Sequence, residues 1–480
     1  MNDRLVFRIL GLILLIESAL MLLPCAVALI YGERSGLYFL LAILASAGIG
    51  FPLSRIQVKQ RGMFAREGFV IVALSWAAFS LIGCLPFVFS GTIPSFVDAF
   101  FEVVSGFTTT GASILNDVES MDFCMKFWRC FTNWIGGMGI LVFMLALTPL
   151  TGGSSVHILR AESTGPTVEK MTPKLSVTAK HLYLIYIAIT ALEMVFLAFD
   201  MPIFDAIVAS LATAGTGGFS IFNDSIGHYS AYAQMVVAVF MFLFGVNFIL
   251  YFLVLRGQPL QALKNEELRV YLLIVALAIG AISLDLYRHG VFSSAGEIAR
   301  QSTFQVATVL STTGFSTADF NLWPSFSKSL MVFLMFLGSC AGSTAGGMKI
   351  SRMILAVKAV RHDLHTMIHP RSVKSVRLNG KVVSEDVVNR TVRFLFCYLM
   401  ILAVSVLIIS FDGFSLTTNF TAVAATLNNI GPGLDMVGPT GNYSAFSDLS
   451  KMVLVLDMLI GRLEVFPMLL MLNFRTWKGK

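Results

Sequence analysis

The chain has 480 residues, of which 56% are hydrophobic and 13% charged, with a formal net charge of +6. Soluble globular chains carry about 25% charged residues, and a soluble fold of this composition would expose more apolar surface than solubility permits. These numbers exclude a soluble enzyme and indicate a polytopic membrane protein, in which a basic excess gathered in a few loops is no sign of nucleic-acid affinity.

Taken in chain order, ten segments approach the roughly 20 apolar residues that cross a bilayer. They are 6–30, 37–55, 68–90, 126–149, 181–200, 232–256, 268–288, 327–348, 392–411 and 449–473. Arg4 and Arg8 precede the first run, which continues past residue 23 with no clean small-residue cleavage site, so the first segment reads as a retained span and not a signal peptide. Between the spans lie four shorter segments, 94–108, 202–214, 294–311 and 415–428. Each is too short to cross the membrane and predicts a re-entrant helix, which is tolerated at membrane depth only where it is buried or lines a wet cavity.

Directly after each short segment comes a related glycine-centred stretch: Thr109-Thr110-Gly111, Thr216-Gly217-Gly218, Thr312-Thr313-Gly314 and Asn429-Ile430-Gly431. The third residues lie 107, 96 and 117 positions apart. A desolvated alkali cation needs several oxygen dipoles at once. Glycine lets neighbouring carbonyls turn inward, threonine adds hydroxyl oxygens, and oxygen-only ligation suits alkali ions rather than zinc or copper. Four such segments, each placed between a short helix and a span, form an internal repeat that turn chemistry alone rarely produces. The expected architecture is all-α: four tandem helix–pore helix–helix repeats around a central ion pore, plus two extra N-terminal transmembrane helices. The boundaries are 1–60 for the N-terminal pair, then 61–160, 161–262, 263–380 and 381–480 for the repeats.

Acids flank the segments. Asp98 and Asp205 each sit 13 residues before their glycine, while Asp117, Asp224, Asp319 and Asp435 follow theirs. The former suit helix-end neutralisation or cation attraction equally, and the latter favour attraction of cations to the outer mouth. Of 34 basic residues, 26 fall on one side: Arg4 and Arg8, the loops around 55–66, 160–180 and 256–269, the run 349–393, and Arg475, Lys478 and Lys480. Both termini are therefore expected in the cytoplasm with the four segments facing outward. All four repeats then point the same way, unlike inverted-repeat transporters.

The four segments, the helix–short helix–helix plan and the two extra N-terminal spans resemble the Trk/Ktr/HKT superfamily of potassium transporters, in particular the bacterial Trk membrane subunits. The resemblance covers essentially the whole chain. It implies potassium-coordinating filter residues at Thr109, Thr110, Gly111, Thr216, Gly217, Gly218, Thr312, Thr313, Gly314, Asn429, Ile430 and Gly431. A serine at the first filter glycine accompanies sodium transport in this family, so glycine at 111 implies potassium; the fourth segment departs most, with Asn-Ile in place of Thr-Thr. The resemblance also implies a bacterial inner-membrane location, a homodimer, and a cytosolic ring of regulatory domains that binds NAD(H) or ATP/ADP. The basic run after residue 348 and the C-terminal tail suit docking of that ring, or of anionic lipid. No dinucleotide motif occurs in this chain, so no cofactor is expected on it beyond the transported K+.

The eighth span is interrupted by the glycine-rich stretch 338–347, which contains Gly338, Gly342, Gly346 and Gly347. Glycine inside a helix costs roughly 1 kcal/mol against alanine. Positions 342–347 follow Gly314 by 28 to 33 residues, and Arg462 follows Gly431 by 31. A flexible loop and a fixed positive charge are thus expected at similar depth on the pore axis, where the family resemblance implies a gate. The alternatives for Arg462 are pairing with Asp457 or Glu464, or snorkelling. Glu17 and Glu193 are intramembrane acids open to proton coupling or to structural pairing. His362, His365 and His369 share a helical face beside Asp363, which fits either a metal site or, more commonly, a solvated basic helix. The six cysteines show no metal spacing and read as small core residues. No nucleophile–base or zinc-protease motif appears, so the chain is not expected to be an enzyme.

Overall fold

Apolar run length sets the architecture. In the computed structural model, which describes residues 2–58, 65–139, 175–371, 375–463 and 465–472, the first run forms Asp3–Leu20 and Leu22–Tyr31, followed by Gly36–Ser54. These are the two extra N-terminal spans. They cross tightly at Gly11, where a Cβ would lie 2.7 Å from the Gly50 carbonyl oxygen and 2.5 Å from the Ser54 nitrogen; small residues permit this backbone approach.

Four units follow. The first comprises Ala65–Gly83 continued by Leu85–Ser90, the short helix Phe96–Phe107, and Phe123–Gly137. The second comprises Leu175–Leu197, the short helix Ile203–Gly215, and Ala231–Phe244 with Phe248–Leu255. The third comprises Glu266–Arg288, the short helix Ala295–Leu310, Ser325–Leu337, an irregular stretch over the glycine-rich residues, and Ile350–Ile368. A small hairpin, Arg377–Leu378 against Lys381–Val382, then leads to the fourth: Glu385–Ile409, the short helix Leu416–Leu427, and Asp448–Leu463 with Val465–Leu472. The fold is that of a predominantly helical, polytopic membrane protein. Its long helices turn apolar side chains such as Leu29, Leu407 and Phe411 outward, while the short helices are buried through their last two turns. Burial is thus inverted relative to length, and the four short helices occupy the centre.

One expectation needs correction. The run 232–256 is not a single straight span: its two helices meet at a 91° bend. The break frees backbone groups that must be satisfied inside a membrane. The glycine-rich stretch of the third unit satisfies them, since Cys340 donates its N–H to the Gly245 carbonyl (3.1 Å) and Phe248 donates to the Gly342 carbonyl (3.1 Å). Asn247 caps the new helix through Ile249 N (2.9 Å). The expected span 327–348 is helical only to Leu337. Part of the expected span 126–149 (residues 140–149) lies outside the described residues, as do Arg160, Glu464, Arg475, Lys478 and Lys480.

Candidate ion-conduction site

All four short helices end by the same local mechanism. The first residue of each glycine-centred segment adopts a left-handed conformation, with φ of 55° at Thr109, 54° at Thr216, 56° at Thr312 and 54° at Asn429. That residue's N–H bonds three residues back, and the next residue's N–H bonds five back: Thr110 to Ser105, Gly217 to Ala212, Thr313 to Thr308 and Ile430 to Ala425, at 2.8–3.0 Å. This is the Schellman end of a helix, here made by threonine and asparagine instead of glycine. A β-branched residue at positive φ is a genuine outlier, and strain of this kind gathers at functional sites. Its fourfold recurrence places the four helix C-termini, each carrying about half a negative charge, where a cation would be favoured.

The segments close a ring. Gly111, Gly218, Gly314 and Gly431 all have positive φ, from 68° to 91°. A Cβ on Gly111 would lie 2.3 Å from the Gly217 carbonyl oxygen, on Gly218 2.0 Å from that of Thr313, on Gly314 2.0 Å from that of Ile430, and on Gly431 2.7 Å from that of Thr110. Each glycine therefore receives the carbonyl of the next unit's middle residue, and the fourth unit returns to the first. The glycine and the middle residue of each segment are thus brought together in one cage, a cyclic succession of glycine-to-carbonyl approaches. At its base several buried oxygens have no hydrogen-bond partner among the described residues, including Thr109 Oγ1, Asn429 Oδ1 and Asn133 Oδ1. Buried oxygens are rarely left unpaired. Asn429, where the other segments have threonine, donates to Thr110 Oγ1 (3.0 Å) and the Met458 carbonyl (2.9 Å).

Above the cage the connecting loops are laced from unit to unit. Asn223 accepts from Val118 N (2.9 Å), Ile226 donates to the Ser316 carbonyl (3.1 Å), Asn321 accepts from Asp435 N (2.9 Å), and Tyr443 N donates to the Ser113 carbonyl (2.8 Å). A polar cavity of about 160 Å³ opens over the glycines, lined by Asn116, Ser220, Ser316 and Tyr443 among others. The acids expected around this mouth are largely engaged in building it. Asp98 pairs with Lys451 (2.6 Å), Asp205 accepts from Tyr229 (3.1 Å), and Asp435 accepts from Ser415 (2.5 Å) and Thr418 (2.7 Å). Those last two bonds hold the Asp435 carboxyl below the usual carboxylate range.

Beneath the cage lies the glycine-rich loop. Gly346 N donates to Thr312 Oγ1 (2.6 Å), and a Cβ on Gly346 would lie 2.5 Å from the Asn428 carbonyl oxygen. Gly338, Gly342 and Gly347 have φ of 64°, 72° and 74°. The loop is thus seated against the third and fourth segments. Arg462 spans beneath it: Nη1 bonds the Thr344 carbonyl (2.8 Å), and Nη2 bonds the carbonyls of Gly136 and of Gly137 (2.7 Å). Of the five gate candidates, Gly338 packs against Gly346 and Gly347, Gly342 lies against Asn247, and Arg462 reaches the same loop at Thr344. Asp457, one of the alternatives for Arg462, instead accepts from Ser405 (2.8 Å).

Several residues escaped the sequence reading. Glu267 Oε1 accepts from both Ala341 N (2.8 Å) and Ser351 N (2.9 Å), holding the two ends of the loop. Glu102 and Arg129 form a buried ion pair beside the first segment. A charge inside an apolar run was the available signal for Glu102 and Arg129; nothing local marked Asn133. No three-residue metal cluster occurs among the described residues, so the histidine helix carries no such site there, and all six cysteines are free.

Comparison with known proteins agrees with this fold. The family profile described as "TrkH: Cation transport protein" matches residues 38–476. The chain is 37% identical over 484 residues to the Trk system potassium uptake protein TrkH of Escherichia coli K12, covering 100% of both chains. It is 31% identical to TrkG of the same organism, covering 99% of each. The crystal structure of the potassium transporter TrkH from Vibrio parahaemolyticus superposes with a TM-score of 0.89 at 34% identity, covering 100% of both chains.

Proposed function

The chain belongs to the TrkH family of cation transport proteins, and from that premise we propose that it takes up potassium through the cyclic cage formed by its four glycine-centred segments. The carrying observation is the closed succession of glycine-to-carbonyl approaches from Gly111 through Gly218, Gly314 and Gly431 back to Thr110. Carbonyls held at such spacing replace the water around an alkali cation. Glycine at 111 supports potassium over sodium, since, in the superfamily the chain resembles, a serine at this position accompanies sodium transport.

In this reading the loop 338–347 and Arg462 form the gate. A guanidinium on three carbonyls beneath a cation path opposes passage electrostatically and sterically, and motion of the loop away from Thr312 opens it. The protein works in the bacterial inner membrane with both termini cytoplasmic, as a homodimer. A cytosolic nucleotide-binding ring docks on the basic run after residue 348 and supplies the opening signal. A second reading, potassium symport coupled to sodium or protons, rests on Glu17 and Glu193, two carboxyl groups buried within the spans.

Purified protein in liposomes tests both. Because the gate is closed without its cytosolic partner, the variant lacking residues 342–346 is used beside the wild type. Under a potassium gradient alone, with sodium and proton gradients absent, the pore reading expects downhill flux through that variant that favours potassium and rubidium over sodium and lithium and is altered by Gly314→Ser. Flux that arises only when a sodium or proton gradient is added, and that Glu17→Gln or Glu193→Gln abolishes, supports symport instead.

A further inference from the structure

The fourfold repeat is broken on one side of the cage by a buried ion pair. Glu102 is fully buried in the first short helix, and Arg129 is 4% exposed on the helix that follows the first segment. The Glu102 carboxylate accepts from Arg129 Nε (2.6 Å), from Ser113 Oγ (3.0 and 3.1 Å to its two oxygens) and from Ile114 N (2.9 Å). Arg129 then reaches into the second unit. Its Nη1 donates to the Ser220 carbonyl (2.7 Å), and its guanidinium lies 3.7 Å from the centroid of the Phe219 ring.

Ser113 and Ser220 are the same position in two repeats, each two residues beyond its filter glycine. The pair therefore bolts equivalent points of adjacent filter strands together. The other units have no counterpart. Nine residues before their glycines stand Ala209, Gln305 and Ala422 where the first has Glu102, and eighteen residues after stand Val236, Val332 and Leu449 where the first has Arg129. A buried charge is costly unless paired and hydrogen-bonded. Here both partners spend their remaining bonds on filter backbone or on the side chain beside it, which suits control of geometry more than bulk stability.

We propose that Glu102 and Arg129 are positioning residues for ion selection, setting the spacing between the first and second filter strands and with it the discrimination of potassium from sodium. The proposal rests on the reading of the four segments as a potassium filter. It differs from a purely electrostatic role, because Glu102→Gln would leave a buried cation near the mouth and Arg129→Gln a buried anion. Electrostatics alone would therefore move cation affinity in opposite directions, with the selectivity ratio unchanged. Positioning lowers the ratio in both.

The test uses the full-length protein and its Glu102→Gln, Arg129→Gln and Phe219→Leu variants. Two quantities are read: the rise in melting temperature in potassium chloride relative to sodium chloride, and the potassium-to-sodium flux ratio in liposomes. The wild type should favour potassium in both. Glu102→Gln and Arg129→Gln should each lose about tenfold in the ratio, as expected for one charge-assisted hydrogen bond, with a smaller loss in Phe219→Leu. Where Arg129→Gln does not fold, Arg129→Lys carries the test, since lysine keeps the charge but holds its donors on one nitrogen and should not restore the ratio. Variants that keep the wild-type ratio, or single variants that change affinity in opposite directions at constant ratio, overturn the proposal. A wild type that fails to distinguish the two ions in either measurement overturns the filter reading itself, and this inference with it.

Discussion

Replacing Gly314 by alanine tests the cage most directly. A Cβ at that position would sit 2.0 Å from the Ile430 carbonyl oxygen and 3.0 Å from Pro432 Cδ, at a backbone φ of +87°. Real Cβ contacts essentially never fall below 3.0 Å, so the carbonyl must retreat by about 1 Å (3.0 less 2.0). The left-handed backbone adds ~1–2 kcal/mol of strain for a residue with a Cβ. Gly91 separates the two effects: its φ is +72°, and a Cβ there meets nothing within 4 Å. Gly91→Ala should therefore carry the backbone strain alone, lower the melting temperature slightly and leave ion discrimination intact. Gly314→Ala should carry both. Displacing one oxygen that contributes ~1.5 kcal/mol to an ion should reduce the potassium-to-sodium preference about tenfold. The assay is the potassium-dependent shift in melting temperature of purified protein, supported by flux ratios in liposomes. A folded Gly314→Ala protein with wild-type discrimination would refute the cage, as would a Gly91→Ala protein that loses as much.

Three further outcomes follow from the geometry. Arg462→Ala removes three bonds to carbonyls of the loop and the first unit, and should raise leak flux at least about tenfold, since hydrogen bonds to charged groups contribute ~1.5–3 kcal/mol each; deleting residues 342–346 should act alike, and unchanged flux in either folded variant would count against the gate. Glu267→Ala frees both loop ends and should also raise leak, measured as faster rubidium equilibration at unchanged ion preference. Asp435 titrates below its ordinary range because Ser415 and Thr418 bond its carboxylate, so its contribution is fully present above the unfolded value of about 3.9 and is lost as the pH falls through the folded one. The melting-temperature gap between wild type and Asp435→Asn should accordingly be constant from neutral pH to about pH 5 and shrink in stronger acid; a gap that widens as the pH falls below the unfolded value would contradict this.

Much of the plan was legible because it depends on local chemistry. Segments such as 94–108 and 415–428 are too short to cross a bilayer, and their helices Phe96–Phe107 and Leu416–Leu427 appear where expected. The glycines after them occupy the positive-φ positions that glycine is suited to. The approach of Arg462 to the glycine-rich loop at Thr344 follows the spacing, since both lie about 30 residues beyond corresponding glycines. The 91° bend after Phe244 was only partly legible: Gly245 and Asn247 interrupt the apolar run, but the break is stabilised by partners near residue 340 that no local pattern shows. The outer acids were only half legible. Their position near the mouth was clear, but their engagement by Lys451, Tyr229, Ser415 and Thr418 depends on neighbours brought in by folding.

The sequence by itself determined what run length and local capping control: a membrane-embedded helical chain, four buried short helices, and a strained turn with a glycine after each. Only the tertiary structure decided which carbonyl each glycine receives, because those pairs join residues about a hundred or more positions apart in the chain. The same holds for the bond from Arg129 to Ser220 and for the reach of Arg462 to Thr344, Gly136 and Gly137. A hydrogen bond or a close contact depends on separation in space to within tenths of an ångström, and no pattern along one segment encodes how far another segment will stand from it.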